Sequence, residues 1–383
     1  MTGSMTLWRN AYAGTARLIE NALERAHRSL ASWRGAGVHA DRHYLRGRWC
    51  QCPPGLPLHL VHSQGLREGC DIVVDLGANM EHPERAQLPL ERVAQVAHQI
   101  QRGDRVRVKT DLLGHFVEEV LPEIREPIIL VTGDSDVSPV RAFRDLLGHP
   151  RIAHWFAQNC DVAEDHPRLT RLPIGFDNPV YTRLDKRLGF LLTMATGRTP
   201  FDPRVRLNDI GNQRVLSGVR AGSVARVEDK PLRVLCNFLL SKHASDPCRV
   251  KDRLEARDQL AALSFTHFPE SRMKQVDCWR AHDEFAFEVS PRGSGLDCFR
   301  TWEALFLNTI PIVKTSPLDE LYRREVFPVV IVESWSEITQ GALSRWRDDL
   351  AGRFTDDMRR RLTNDYWLGR ITEAQSASRE RAA

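Results

Sequence analysis

The sequence predicts an α/β protein of two domains, each built on a parallel sheet. Three observations carry this. The chain has 383 residues, too many for one ordinary core and well suited to two. From Cys70 onward, short apolar runs alternate with helical periodicities, the pattern of parallel strands covered on both faces by helices. The alternation breaks over 178–230 and resumes at Pro231, which places the connection between the domains in that stretch.

The elements follow in order. Residues 6–34 carry apolar positions at helical spacing, and 35–68 are rich in Gly, Pro and His and read as irregular. "CDIVVDLGA" reads as a buried strand, "LERVAQVAHQIQRG" as a helix closed by glycine, "DRVRVKTD" as a strand and "LGHFVEEVLPEI" as a helix. "EPIILVTGDSD" is a further strand, "PVRAFRDLLGHP" a helix, "IAHWFAQN" a strand and "RLTRLPIGFDNP" an extended exit. A helix is expected near 183–192. After the break come "PLRVLCNFLL" as a strand, "CRVKDRLEARDQLAAL" as a helix, "FTHF" as a strand and "MKQVDCWRAHDEF" as a helix. "AFEVSP" is a strand that runs into a glycine loop; a helix, the strand "IPIVK", the helix "LDELYRREV" and the strand "PVVIV" follow. "SWSE" opens the next helix with a capping box, Ser334 to Glu337. The boundaries are 1–69 for an N-terminal helix and irregular extension packed on the first domain, 70–225 for the first domain and 226–342 for the second. Residues 343–383 form a charged helical segment with a frayed tail from Thr372.

Composition narrows the function. A formal net charge of +4 suits an anionic ligand and is too small for a nucleic-acid binder. The eight cysteines are scattered, with Cys50 and Cys52 the one close pair; they read as reduced thiols, and no zinc site is expected. No run of about 18 apolar residues suggests a membrane span, and no apolar signal core is visible. A cytoplasmic protein is expected, peripherally associated with the inner membrane face if its acceptor is lipid-linked.

The stretch "SPRGSGLDCFRTWEALFLNTIPIVKTSP" concentrates chemistry. Ligands of parallel α/β sheets sit beyond the carboxyl ends of the strands, where helices begin. Arg292, Gly293, Ser294 and Gly295 lie in such a place, and the glycines allow close backbone approach. Ser294 with Asp297 matches a capping box, which starts the helix near Gly295 and offers N–H groups to a phosphate. Phe299, Trp302, Leu305 and Phe306 share an apolar face; Arg300 and Glu303 lie one turn apart opposite it. A guanidinium fork suits a diphosphate and a carboxylate suits two ribose hydroxyls. The alternative is a solvated ion pair on a helix surface. Asn308 is placed to end the helix in a left-handed turn.

This stretch, with "FPVVIVESWSEIT", resembles the exostosin-like glycosyltransferases in their bacterial and viral forms. The pieces "VKTD", "LVTGDSD", "HWFAQN" and "LPIGFDN" are similar to the same family, so the resemblance spans roughly 105–340. It departs at Asn308, where the family has glycine. The resemblance implies a GT-B-like architecture, two Rossmann-like domains with an interdomain cleft, the second holding a nucleotide-sugar and the first an acceptor. It implies an inverting transfer to a hydroxyl of a glycan or lipid-linked acceptor, with no metal required and a UDP-sugar favoured as donor. It also turns Asn237, Lys242 and Arg249, in and after "NFLLSKHASDPCR", toward the diphosphate.

Inversion needs a base on the acceptor side. Asp134 and Asp136 in "VTGDSD" are the leading candidates; either is equally well read as the cap of the following helix. The same D-x-D has the form of a manganese-diphosphate site, the main internal rival. Asp111, Trp155 and Asn159 are candidate acceptor contacts, although a tryptophan in a strand is more often core. Two other function classes stand beside the transferase. A dinucleotide oxidoreductase lacks its G-x-G-x-x-G, since "VVDLGAN" has one glycine. A catalytically inactive glycan- or partner-binding module on the same fold would lack the base.

Overall fold

In the computed structural model, the structure describes residues 60–74, 97–98, 100–176, 216, 219–220, 224–240, 247–271, 273 and 275–380. Most of the expected N-terminal extension, the helix expected near 183–192, and Lys242 lie outside the described residues, as does the side chain of Arg249.

Two parallel five-stranded sheets dominate, as the strand–helix alternation requires. The first holds β1 (Ile72–Val74), β2 (Arg105–Lys109), β3 (Ile128–Gly133), β4 (Ile152–Gln158) and β5 (Leu169–Leu172), hydrogen-bonded in that order. A short helix, α1 (Ser63–Glu68), precedes it. Its strands read as apolar runs because both faces are covered: Ile128–Gly133 is buried throughout. "RLTRL", expected as an extended exit, is the fifth strand, paired through Trp155 with Leu169 to Gln158 with Leu172. "PVRAFRDLLGHP" forms only a short 3-10 turn, Arg144–Leu147, in place of the expected helix.

The second sheet holds β6 (Val234–Leu235), β7 (Thr266–His267), β8 (Phe287–Val289), β9 (Ile310–Lys314) and β10 (Val330–Val332). Its order is β10-β9-β8-β6-β7. Helices α2 (Pro247–Leu260), α3 (Gln275–Ala281), α4 (Phe299–Phe306) and α5 (Asp319–Arg324) connect the strands. From β6 the chain goes outward to β7, then back across β6 to β8. The order therefore reverses between β6 and β8, and such a switch point opens a crevice at the carboxyl ends of the two strands.

The helices α6 (Gln340–Leu350), α7 (Asp356–Arg360) and α8 (Asn364–Glu380) end the described chain. The helix continues through Thr372 to Glu380, in place of the frayed tail expected there. It is held on the first sheet by Gln375, whose Nε2 donates to Asp71 Oδ2 and to the Gly103 carbonyl. The central core is shared: Ile129, Val131 and Phe156 of the first sheet cluster with Trp302 and Leu305 of α4 and with Trp367 and Ile371 of α8. Separate clusters cover the remaining face of each sheet.

Two capping expectations divide. The box at Ser334 and Glu337 is formed, around the 3-10 turn Trp335–Glu337. The box at Ser294 and Asp297 is not, because α4 begins at Phe299 with Cys298 as its N-cap. The Asp297 carboxylate is taken by other donors, described below. Asn308 has the expected left-handed backbone, φ 51°.

Candidate functional site

The carboxyl ends of the two sheets meet. Asn159, just beyond β4, has a left-handed backbone, φ 50°, that turns its side chain onto the glycine loop after β8. Its Oδ1 accepts from Asp297 N at 2.9 Å, and its Nδ2 donates to the Ser135 carbonyl at 2.8 Å. Beyond β5, Ile174 N donates to Asp297 Oδ2 at 2.8 Å. Cys298 N and Trp302 Nε1 complete the shell of Asp297. Burial pushes the Asp297 carboxyl up to about 6 despite these donors. Gly295 is packed directly on the Asn159 amide.

On the second domain's side, the loop is fixed by α2. Asp252 Oδ2 accepts from Arg292 N and Arg253 Nε donates to the Arg292 carbonyl, while Arg253 Nη1 binds the Leu239 carbonyl in the β6 exit. The loops after β6 and β8 are thus tied together at the switch point. Gly293 and Gly295 are buried, Arg292 is half-buried and Ser294 is exposed.

Arg300 bridges the same two strand ends. Its Nε donates to the Asn237 carbonyl at 2.9 Å and its Nη1 reaches Cys298 Sγ at 3.2 Å. Glu288, fully buried on β8, stands 3.6 Å from Nε through its Oε1. Glu288 Oε2 is 2.8 Å from His282 Nε2, and His282 Nδ1 donates to the Cys278 carbonyl. Burial opposes the Arg300 charge, but Cys298, Glu288 and Glu303 around it raise its pKa above the ordinary value. Burial likewise opposes charging of His282, and Glu288 outweighs it, so the imidazole pKa is raised. Burial pushes Glu303 up to about 7. Arg300 and Glu303 are therefore not a solvated surface pair: both turn inward, and Glu303 is only 8% exposed.

The expected residues of the first domain separate. Asp134 and Asp136 are exposed beyond β3, and neither caps a helix, since the next turn has Phe143 as its N-cap with no side-chain bond. Asp134 has φ 59°, and its N–H donates to Gln158 Oε1. It precedes Ser135, whose carbonyl is tied through Asn159 to the glycine loop, so Asp134 is brought to the domain junction. Asp111 pairs with Lys109 just beyond β2. Two acceptor candidates need correction. Trp155 is fully buried, its Nε1 donating to Thr132 Oγ1, so it offers no face to a sugar. Asn159 is buried too, and both ends of its amide are spent on the junction.

Asn237 contributes its carbonyl to Arg300 and its Nδ2 to Cys278 Sγ. Sequence reasoning missed Glu288 and His282, and it took Asp297 for a helix cap. A visible signal existed for Glu288, a lone carboxylate inside the apolar run "FAFEV". Arg107 was missed as well; it is buried on β2, and neither Nη has a hydrogen-bond partner. Among the described residues, no group of three His, Cys, Asp or Glu side chains is arranged to hold a metal ion, and Cys70, Cys160, Cys236, Cys278 and Cys298 are free thiols. No helix among the described residues is long and apolar enough to cross a membrane.

No protein-family model matches the chain, and no curated protein matches it in sequence. Several solved structures are distantly similar. One is described as trehalose-6-phosphate from E. coli bound with UDP-2-fluoro glucose: 11% identity over 85% of this chain and 90% of that one, TM-score 0.38. A second is an α,α-trehalose-phosphate synthase (UDP-forming) from Burkholderia vietnamiensis, at 10% identity over 75% and 74%, TM-score 0.39. A third is an α1,3-fucosyltransferase, at 12% identity over 70% and 78%, TM-score 0.34.

Proposed function

We propose that the chain is an exostosin-like glycosyltransferase of the GT-B kind. It would move a sugar, with inversion and without a metal, from a nucleotide-sugar to a hydroxyl of a glycan or lipid-linked acceptor. One observation carries the reading: the strand order of the second sheet reverses between β6 and β8, and the glycine loop, Asn237 and Arg300 converge on that point. A diphosphate suits the place, because a planar, fixed cation and close backbone approach are available together. Arg292, Gly293, Ser294, Gly295 and Arg300 would hold it, with Lys242 and Arg249 added from the β6–α2 connection. Glu303 would take the ribose hydroxyls through the small edge it leaves exposed. A UDP-sugar is the favoured donor.

Charge on the departing diphosphate would be neutralised by these cations in place of a metal. Asp134, at the junction beyond β3, would take the acceptor's proton as its oxygen attacks the anomeric carbon, with Asp136 as second candidate. Asp111 remains an acceptor contact. The proposed site is cytoplasmic, and a lipid-linked acceptor would bring it to the inner membrane face.

The test is consumption of a panel of UDP-, GDP-, CMP- and ADP-sugars, with released nucleotide followed by mass spectrometry. The reading expects one class to be consumed. Asp134→Asn should then reduce turnover by about 10²–10⁴-fold, the usual contribution of a general base. A nucleotide that binds while no sugar donor is consumed points instead to the inactive binding module. Loss in Asp136→Asn with Asp134→Asn active reassigns the base.

A further inference from the structure

Glu288 poses a physical problem. Its carboxylate is fully buried in the middle of the second sheet, where an unpaired charge is strongly destabilising. Phe287 and Val289 turn into the apolar cluster on one face, so Glu288 turns to the other. There Oε2 meets His282 Nε2 at 2.8 Å, while Oε1 has no hydrogen-bond donor. His282 is itself buried and is oriented by the bond from its Nδ1 to the Cys278 carbonyl. Both ring nitrogens therefore face acceptors, which fixes the imidazole and, through it, the carboxylate.

The free oxygen faces Arg300 Nε at 3.6 Å, too far for a hydrogen bond and close enough for strong attraction in a buried setting. Arg300 Nε already donates to the Asn237 carbonyl, and Nη1 to Cys298 Sγ. A buried ion pair adds little stability over apolar packing, and an acceptor left without a donor is destabilising. The arrangement makes sense as orientation: Glu288 holds the guanidinium by charge and takes none of its N–H groups.

We infer that the His282–Glu288 pair positions Arg300 for the donor's diphosphate, His282 fixing Glu288 and Glu288 fixing the guanidinium. The inference rests on the proposed reading of Arg300 as a diphosphate ligand. His282 and Glu288 are positioning residues and touch no substrate.

The experiment compares calorimetric binding of UDP with that of uridine, and likewise GDP, ADP and CDP with their nucleosides, on the full chain. Glu288→Gln and His282→Gln are made alone and in an Arg300→Ala background, and melting temperatures check folding. Loss of an orienting partner is expected to weaken binding of the diphosphate on the order of 10-fold. Binding of the nucleoside should stay within about twofold, and Glu288→Gln should add nothing once Arg300 is gone. A purely structural role would instead weaken diphosphate and nucleoside alike, and that result overturns the inference, as does no change in either. Should Glu288→Gln fail to fold, His282→Gln, which keeps an amide donor for Glu288, carries the same comparison. If the wild type binds none of the nucleotides, the reading of the site falls and takes this inference with it. Binding that ignores both variants overturns the inference alone.

Discussion

Gly295→Ala tests how the two domains are joined. Gly295 lies outside the left-handed region, so alanine suits its backbone, and the reduced freedom of the unfolded chain would stabilise by about 0.4–1 kcal/mol. Sterics oppose this. A Cβ at 295 would stand 2.8 Å from both Asn159 Nδ2 and Oδ1 and 2.9 Å from Cγ, inside any normal contact. The Asn159 amide cannot step aside freely, because Oδ1 holds Asp297 N and Nδ2 holds the Ser135 carbonyl. Retreat breaks two bonds at about 1 kcal/mol each, and staying costs about 1–3 kcal/mol of overpacking. The net expectation is a loss of about 1–3 kcal/mol, read from urea denaturation of wild type, Gly295→Ala, Asn159→Ala and the double variant. Asn159→Ala empties the space, so in that background the alanine should cost almost nothing, a coupling of about 1–3 kcal/mol. An alanine variant as stable as wild type, or a cost that persists without Asn159, would refute the close packing at the junction.

Two further outcomes concern the second domain. Lys230 is buried with its Nζ donating to the Leu307 carbonyl and to Thr309 Oγ1, and burial lowers its pKa to about 7. The neutral amine still has two N–H groups for these two acceptors. Between about 7 and the ordinary value near 10.5 the unfolded chain binds a proton that the folded chain does not, so stability rises with pH there. The stability difference between wild type and Lys230→Met should therefore grow in the wild type's favour from about pH 7 to about pH 9 in paired denaturation curves; a flat difference contradicts the buried lysine. Trp302→Phe keeps most of the apolar volume but removes the Nε1 donor from Asp297, and should cost about 1–3 kcal/mol in thermal unfolding, against near-neutral behaviour if that bond is not made.

Much of the fold was legible because its signals are local. Strands buried on both faces read as apolar runs, and a capping box such as Ser334 with Glu337 lies within four residues. The helix stop at Asn308 was readable for the same reason. The site was legible only in part. Arg300 and Asn237 lie far apart in sequence and meet through the Asn237 carbonyl, and Ser294 and Asp297 look like a local cap while Asp297 in fact serves Ile174, 123 residues away. Asn159 looks like a free polar side chain beyond a strand, and its spending on the glycine loop is a tertiary fact without a sequence period. His282 and Glu288 are six residues apart across a 3-10 turn, a spacing that marks no helix face or strand face. Trp155 shows the bland alternative winning, since a strand tryptophan with a threonine acceptor beside it packs as core.

The crevice between β6 and β8 is proposed to bind the diphosphate of a nucleotide-sugar. The most direct test is calorimetric titration of wild type and Arg300→Ala with UDP, GDP, CMP and ADP, each with EDTA and again with manganese. One nucleoside diphosphate, UDP first among them, is expected to bind the wild type at micromolar concentration with EDTA present and to bind Arg300→Ala far more weakly. Binding that requires manganese and survives Arg300→Ala would contradict this and move the site to Asp134 and Asp136.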